Sequence, residues 1–209
     1  MQRADTRRSK ADWLVPAGLI TLSLVPVLAG GARLAHLMAG SPTAPEDVRF
    51  FTAPGPVIVH IFAVTLYCLL GAFQFAPGWR RRHPRWHRGA GRILVPCGLS
   101  AAITGLWMTQ FYLRIATDSA ALHGVRLTVG AAMITAIVLA AVAVGKRDYR
   151  RHGAWMIRAY ALGQGAGTQV FTHLPWFLLV GTPGPTSRAW LMAAGYSMSR
   201  GRRIIRRPA

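Results

Sequence analysis

Along the chain, long apolar runs alternate with short arginine clusters, and the lengths of those runs set the fold class. Six runs stand out: Trp13 to Met38, Pro56 to Pro77, Ile93 to Ile115, Leu127 to Gly145, Ala154 to Val180 and Ala189 to Ser199. The first five reach or approach the roughly 20 residues that carry a helix across a hydrocarbon core. The sixth is short, and its apolar part, AWLMAAGYSM, runs straight into SRGRRIIRR. Such a segment crosses with snorkelling arginines, crosses poorly or lies at the interface. The pattern predicts an all-α, polytopic transmembrane helix bundle of six spans. A basic N-terminus occupies 1–12, the transmembrane domain 13–199 with its core at 55–180, and a basic tail 200–209.

Charge orients the bundle. The chain carries 25 Lys and Arg against 6 Asp and Glu, a formal net charge of +19, although only 15% of its residues are charged. Twenty of the 25 lie in the N-terminus, the loop after the second run, the stretch Lys146 to Arg158 and the tail. The alternate segments hold Arg33, Arg49, Arg114, Arg126 and Arg188 with Glu46, Asp47 and Asp118. This asymmetry predicts both termini and both arginine-rich loops on the cytoplasmic side of the cell inner membrane. A nucleic-acid-binding domain would instead spread its basic residues over one polar face around a modest core. The basic loops are expected to meet anionic lipid headgroups. A cleavable signal peptide is the rival reading of the first run, but the run continues through Leu34 and Met38, so a retained span is expected.

The segment from Ala39 to Gly55, rich in Pro and small residues, reads as a connector. Cys68 and Cys97 fall at different depths, which argues against a disulfide or a cysteine metal site.

Topology sorts the seven histidines by side. His36, His60, His123 and His173 fall toward the outer leaflet, and His83, His87 and His152 toward the inner one. His60 opens the second span at its outer end and His123 precedes the fourth at its outer end. His87 precedes the third and His152 the fifth, both at inner ends. Imidazole beside a span is costly unless paired, hydrated or liganded. Bis-histidine ligation of b-type haem from two helices needs facing imidazoles at matching depth, which these two pairs offer. Interfacial hydrogen bonding is the alternative account. His83, before Pro84 in the basic loop, reads as a surface residue. His36 and His173 read as interfacial, although His173, in THLPWF, is also placed to line a cavity or stand in for a ligand.

At about 100° per residue, His87 shares a face with Gly91, Gly98, Ala101 and Gly105, and His152 with Ala159, Gly163 and Ala166. Small side chains leave room for a macrocycle, and equally let membrane helices pack closely. His60, Tyr67, Gly71 and Gln74 form an interior stripe on the second span. The fifth adds Gln164, Thr168, Gln169, Thr172 and His173. Its GQGAG stretch, with no strand before it, reads as a close-packing segment rather than a dinucleotide fingerprint.

The segments HIFAVTLYCLLGAFQF, RRRHPRWHRGAGRILVP, GLWMTQFY, RRHGAWMIRAYALGQGAGTQV and THLPWFLL resemble a bacterial family of predicted membrane proteins, the domain of unknown function 2306. The likeness covers roughly residues 55 to 180. It implies a membrane bundle with His60, His87, His152, Arg158 and His173 in its motifs. More loosely, the order of four histidines over four successive helices is similar to that of two-haem transmembrane cytochromes of the b-561 type. That resemblance implies electron transfer across the membrane, though here the histidines lie closer to the span ends and the last span has no counterpart.

The leading expectation is a haem b protein, with one or two haems, passing electrons between a quinol-like or small-molecule reductant and an acceptor. His60 with His123 would ligate an outer haem and His87 with His152 an inner one. Arg88, Arg92 and Arg158 would neutralise propionates, since guanidinium pairs bidentately with carboxylate. Two other classes stay open: a haem-free transporter whose cavity is lined by Gln164, Thr168, Thr172 and His173, and a structural or assembly partner of membrane proteins. Homo-oligomerisation fits any of the three, and nucleic-acid binding fits none.

Overall fold

The computed structural model describes residues 2–115 and 118–199, with side chains described from Trp13 onward except at positions 166, 198 and 199. The tail at 200–209 and the side chain of Ala166 therefore lie outside the described residues. The elements are α1 (Gln2–Met38), a 3-10 turn (Pro45–Asp47), α2 (Val48–Thr52), α3 (Pro54–Ala72) continued by a 3-10 turn (Phe73–Phe75), α4 (Pro77–Arg82), α5 (Pro84–Phe111), α6 (Ala120–Gly145), α7 (Tyr149–Gly163), α8 (Gly165–Leu179) and α9 (Pro185–Ser199). No strand occurs among the described residues.

Four helical stretches are long and apolar enough to cross a membrane: Trp13–Met38, Pro54–Phe75, Pro84–Phe111 and Ala120–Gly145. Their lipid-facing character shows in exposed apolar side chains such as Leu14, Leu28, Phe62 and Phe111. The fifth expected span is two helices of 15 residues each, α7 and α8, meeting at Gln164. α9 also has 15 residues. Its length of about 22 Å falls short of the roughly 30 Å hydrocarbon core.

The helices start earlier than the apolar runs. α5 begins at Pro84 rather than Ile93, α6 at Ala120 rather than Leu127 and α7 at Tyr149 rather than Ala154. Hydropathy reports the length in lipid, whereas a helix continues until its backbone donors find other partners. Proline at the first helical position suits the starts of α4 and α5, since its missing N–H has no intrahelical acceptor. Side-chain caps start the next two: Ser119 accepts from Leu122 N and Asp148 from Arg151 N. Thus His87, His123 and His152 lie within the first turns of helices.

α3 packs on α5, α5 on α6, α6 on α7, and α7 closes back on α3. The four form a ring in which α3 faces α6 and α5 faces α7 across the diagonal. With neighbouring axes 8–10 Å apart, the diagonal is about 13 Å. The ring's core holds Tyr67, Cys68, Leu94, Met133, Ile137 and Tyr160. α1 lies against α3 and α8, and α9 against α8 and α6.

Candidate functional site

The ring has a basic end, where α3 ends and α5 and α7 begin, and an opposite end, where α5 ends and α6 begins. His87 and His152 are at the basic end on diagonal helices. His60 and His123 stand on the other diagonal, toward the opposite end.

Two of these imidazoles are held by the same device. His60 Nδ1 lies 2.9 Å from the Ala101 carbonyl oxygen on α5, and His152 Nδ1 lies 2.9 Å from the Ala140 carbonyl oxygen on α6. A carbonyl oxygen only accepts, so Nδ1 carries the proton in each case. The neutral ring then has its lone pair on Nε2, the tautomer that ligates metal, with orientation set by the second nitrogen. His173 is held similarly by Gln169 O at 3.0 Å, within its own helix.

His87 is half-buried, and its Nδ1 is buried without a hydrogen-bond partner. It lies within electrostatic reach of Arg80, His152 and Arg88. Arg88, Arg92 and Arg158 are exposed. Arg158 folds over the Trp155 ring at 4.7 Å. An aromatic cluster of Trp13, Phe73, Trp79 and Trp86 lines this end, with Trp13 and Trp79 centroids 5.8 Å apart. The Gln74 amide and Trp79 Nε1 here are also buried and unpartnered. Buried polar atoms without partners are uncommon in folded proteins and tend to mark a place where something else binds.

His123 lines a small cavity with Arg49, Arg114, Asp118 and Arg126. Among the described residues no group of three or more His, Cys, Asp or Glu side chains comes together.

The small-residue stripes divide by depth. A side chain at Gly98 or Gly163 would meet the Tyr67 ring at 2.6 or 2.7 Å, and one at Gly105 would touch the His60 ring. Tyr67, 1% exposed, fills the midplane of the ring. Nothing lies within 4 Å of the Cβ position at Gly89, Gly91 or Gly153 beside the inner pair, nor at Gly124 beside His123, so space at the ends contrasts with the filled midplane.

The polar stripe on α7 and α8 joins helices. Gln164 accepts from Ser23 Oγ of α1 at 3.1 Å and donates to Tyr160 Oη at 2.8 Å. Tyr160 in turn donates to Cys68 O at 2.6 Å. Thr168 donates to Gly195 O and Thr172 to Leu191 O, both on α9. GQGAG does pack closely: Gly163 meets Tyr67, Gly165 meets Tyr196 and Gly167 meets the Leu22 main chain. Both cysteines are free.

Two features are not apparent from the sequence pattern: Tyr67 as the midplane plug, and the arginines gathered round Asp118. Tyr67 shares the His60 stripe, which was a signal. The lone acid in the basic stretch RIATDSAALHGVR was the only signal for the second.

No curated protein and no solved structure matches the chain. Residues 57–200, which include His60, His87, His123, His152 and His173, match the family described as "Predicted membrane protein (DUF2306)", and the chain belongs to that family of integral membrane proteins.

Proposed function

We propose that this multi-pass membrane protein is a haem b electron carrier, with an inner haem between His87 and His152 and an outer one between His60 and His123. The observation that carries the reading is the ring order: each histidine pair stands on diagonal helices toward one end of the ring, the arrangement from which two helices can ligate one haem. Three details support it. Nε2 is the unprotonated nitrogen of His60 and of His152, His87 has a buried nitrogen without a partner, and the glycines beside the inner pair face open space. The residues present therefore fit the group at the basic end. At the midplane Tyr67 occupies the space, so an inner and an outer haem would lie in separate sites.

Haem b supplies a one-electron couple. The chain's own residues orient the imidazoles, and Arg88, Arg92 and Arg158 offer guanidinium partners for the propionates. With the basic loops on the cytoplasmic side of the inner membrane, electrons would pass between a quinol or small reductant and an acceptor. The order of the four histidines, which resembles that of b-561-type cytochromes, supports the same reading.

The transporter reading loses its motive, because the polar atoms of Gln164, Thr168 and Thr172 are used between helices. The assembly reading is weakened likewise, since Tyr67, Tyr160 and Tyr196 fill many of the small-residue faces from within the chain.

The test is a dithionite-reduced minus oxidised spectrum of the detergent-purified chain, with a pyridine haemochrome assay. A b-type signal that falls by about half in His87→Ala or His152→Ala, and by the other half in His60→Ala, is the expected result. A flat spectrum from protein made with ample haem would retire the proposal.

A further inference from the structure

The end of the ring opposite the basic loops gathers cations round one buried carboxylate. Asp118, with its side chain 6% exposed, accepts from Arg126 Nη1 at 3.1 Å and from Arg49 Nη1 at 3.5 Å. Arg49 also donates to Leu113 O at 3.3 Å, yet its Nε is buried without a partner. Arg188 lies within electrostatic reach of all three. Arg114 is exposed, makes no hydrogen bond or ion pair in the described structure, and lines the same cavity. That cavity holds about 20 Å³, enough for a water. A wider one of about 320 Å³ shares Arg49 and Arg114 with it and is flanked by Glu46, Leu113 and Ile115. Glu46 is exposed, so water screens its charge.

Arg49 and Arg126 therefore share one buried carboxylate, and Arg114 lines the cavity beside them. Desolvated cations without counter-charge are costly, and the guanidinium fork is matched by the two or three oxygens of a carboxylate or phosphate. We propose that Arg49, Arg114 and Arg126 form a binding site for a small oxyanion, seated where the narrow cavity meets the wide one. The oxyanion comes either from a water-soluble carboxylate or phosphate, or from the phosphate of a lipid headgroup at the interface. The site is independent of haem: it uses none of the paired histidines except His123 as a wall, and a missing Soret band leaves it standing.

The experiment uses the full chain in a neutral detergent at low ionic strength, titrated with inorganic phosphate and with malonate. Heat of binding and thermal midpoint are read, with sodium chloride at matched ionic strength as reference. Saturable binding and a raised midpoint are expected, weakened about tenfold in Arg114→Gln and less in Arg114→Lys, which keeps the charge but not the fork. Arg85→Gln, at the basic end, is expected to bind as the unaltered chain does. A response to phosphate, malonate and short-chain phosphatidic acid alike no larger than to chloride, or an Arg114→Gln protein that binds undiminished, overturns the proposal. A short-chain phosphatidic acid separates the sources: stabilisation by it alone assigns a headgroup, and stabilisation by the free anions assigns a soluble ligand.

Discussion

At the basic end of the ring Arg88, Arg92 and Arg158 are exposed and pair with no carboxylate among the described residues, whereas at the opposite end Arg33, Arg49 and Arg126 are half-buried and held by Asp47 and Asp118. The acids account for the contrast. Asp118 draws two guanidiniums inward, one from α2 and one from α6, and so ties the Ala39 to Gly55 connector to the turn between α5 and α6. Asp148, the acid at the basic end whose side chain is described, caps α7 and reaches no arginine side chain within ion-pair distance among the described residues. The same residue type thus does two jobs. Arginine without a buried acid stays in water or among headgroups, where it sets topology, and arginine beside one becomes a structural clasp.

The largest test of this contrast is Asp118→Asn. Removing the charge leaves Arg49 and Arg126 part-buried without a counter-ion, at a cost of about 3 kcal/mol, read as a lowered thermal midpoint in detergent. Added phosphate should return part of that loss if the oxyanion site exists. Asp148→Ala, at the basic end, removes only an exposed cap and should cost about 1 kcal/mol. Equal losses from the two variants would erase the distinction between the ends.

Between the ends lies the midplane, where charge plays no part. At Gly98 an added Cβ would stand 2.6 Å from the Tyr67 ring and 2.8 Å from Ile137 Cδ1. Tyr67 is itself wedged against Gly163, so it has little freedom to move away. Gly98→Ala should therefore cost about 2 kcal/mol through overpacking, less than Asp118→Asn and more than Asp148→Ala. Gly91→Ala, facing open space beside His87, should leave the midpoint nearly unchanged. A large loss there would mean that the stripe is packed along its whole length and that the inner pair has no room beside it.

How much of this was legible depends on how far apart the partners lie in sequence. Four spans, the interior stripe of His60, Tyr67 and Gly71, and the close packing of GQGAG follow from composition and helical period, because each belongs to one helix. The starts of α5, α6 and α7 were missed, since arginine and histidine interrupt hydropathy without interrupting backbone hydrogen bonding. The break at Gln164 gives a bent fifth segment where an unbroken apolar run predicted one helix. α9, expected from the sequence as a short sixth span, is a helix of 15 residues and is not among the four stretches long and apolar enough to cross. The histidine order was readable, but its placement on two diagonals needed the ring. The Tyr67 plug needs glycines from α5 and α7, and the Asp118 cluster needs side chains from α2, the α5–α6 turn and α6. No periodicity within one segment carries such information.

The smallest effect is one of pH, and it separates the two clasps at the opposite end. The hydrogen bond from Arg33 holds the Asp47 carboxyl below its ordinary value of 3.8, with Thr43 Oγ1 at 3.2 Å and His36 Nδ1 at 3.9 Å adding to the effect and burial opposing it. A depressed carboxyl contributes stability that is complete above its unfolded value and is lost as pH falls through the lower folded one. The clasp from α1 to the 3-10 turn should thus persist through mildly acid conditions and open only below pH 3.8. Asp47→Asn should lower the midpoint slightly at neutral pH and leave it less dependent on pH in that acid range. Hydrogen exchange at residues 45–52 is the local readout. An unaltered acid profile in Asp47→Asn would mean that the Arg33–Asp47 clasp contributes nothing to the acid sensitivity of this end, and the connector would then be held by one clasp instead of two.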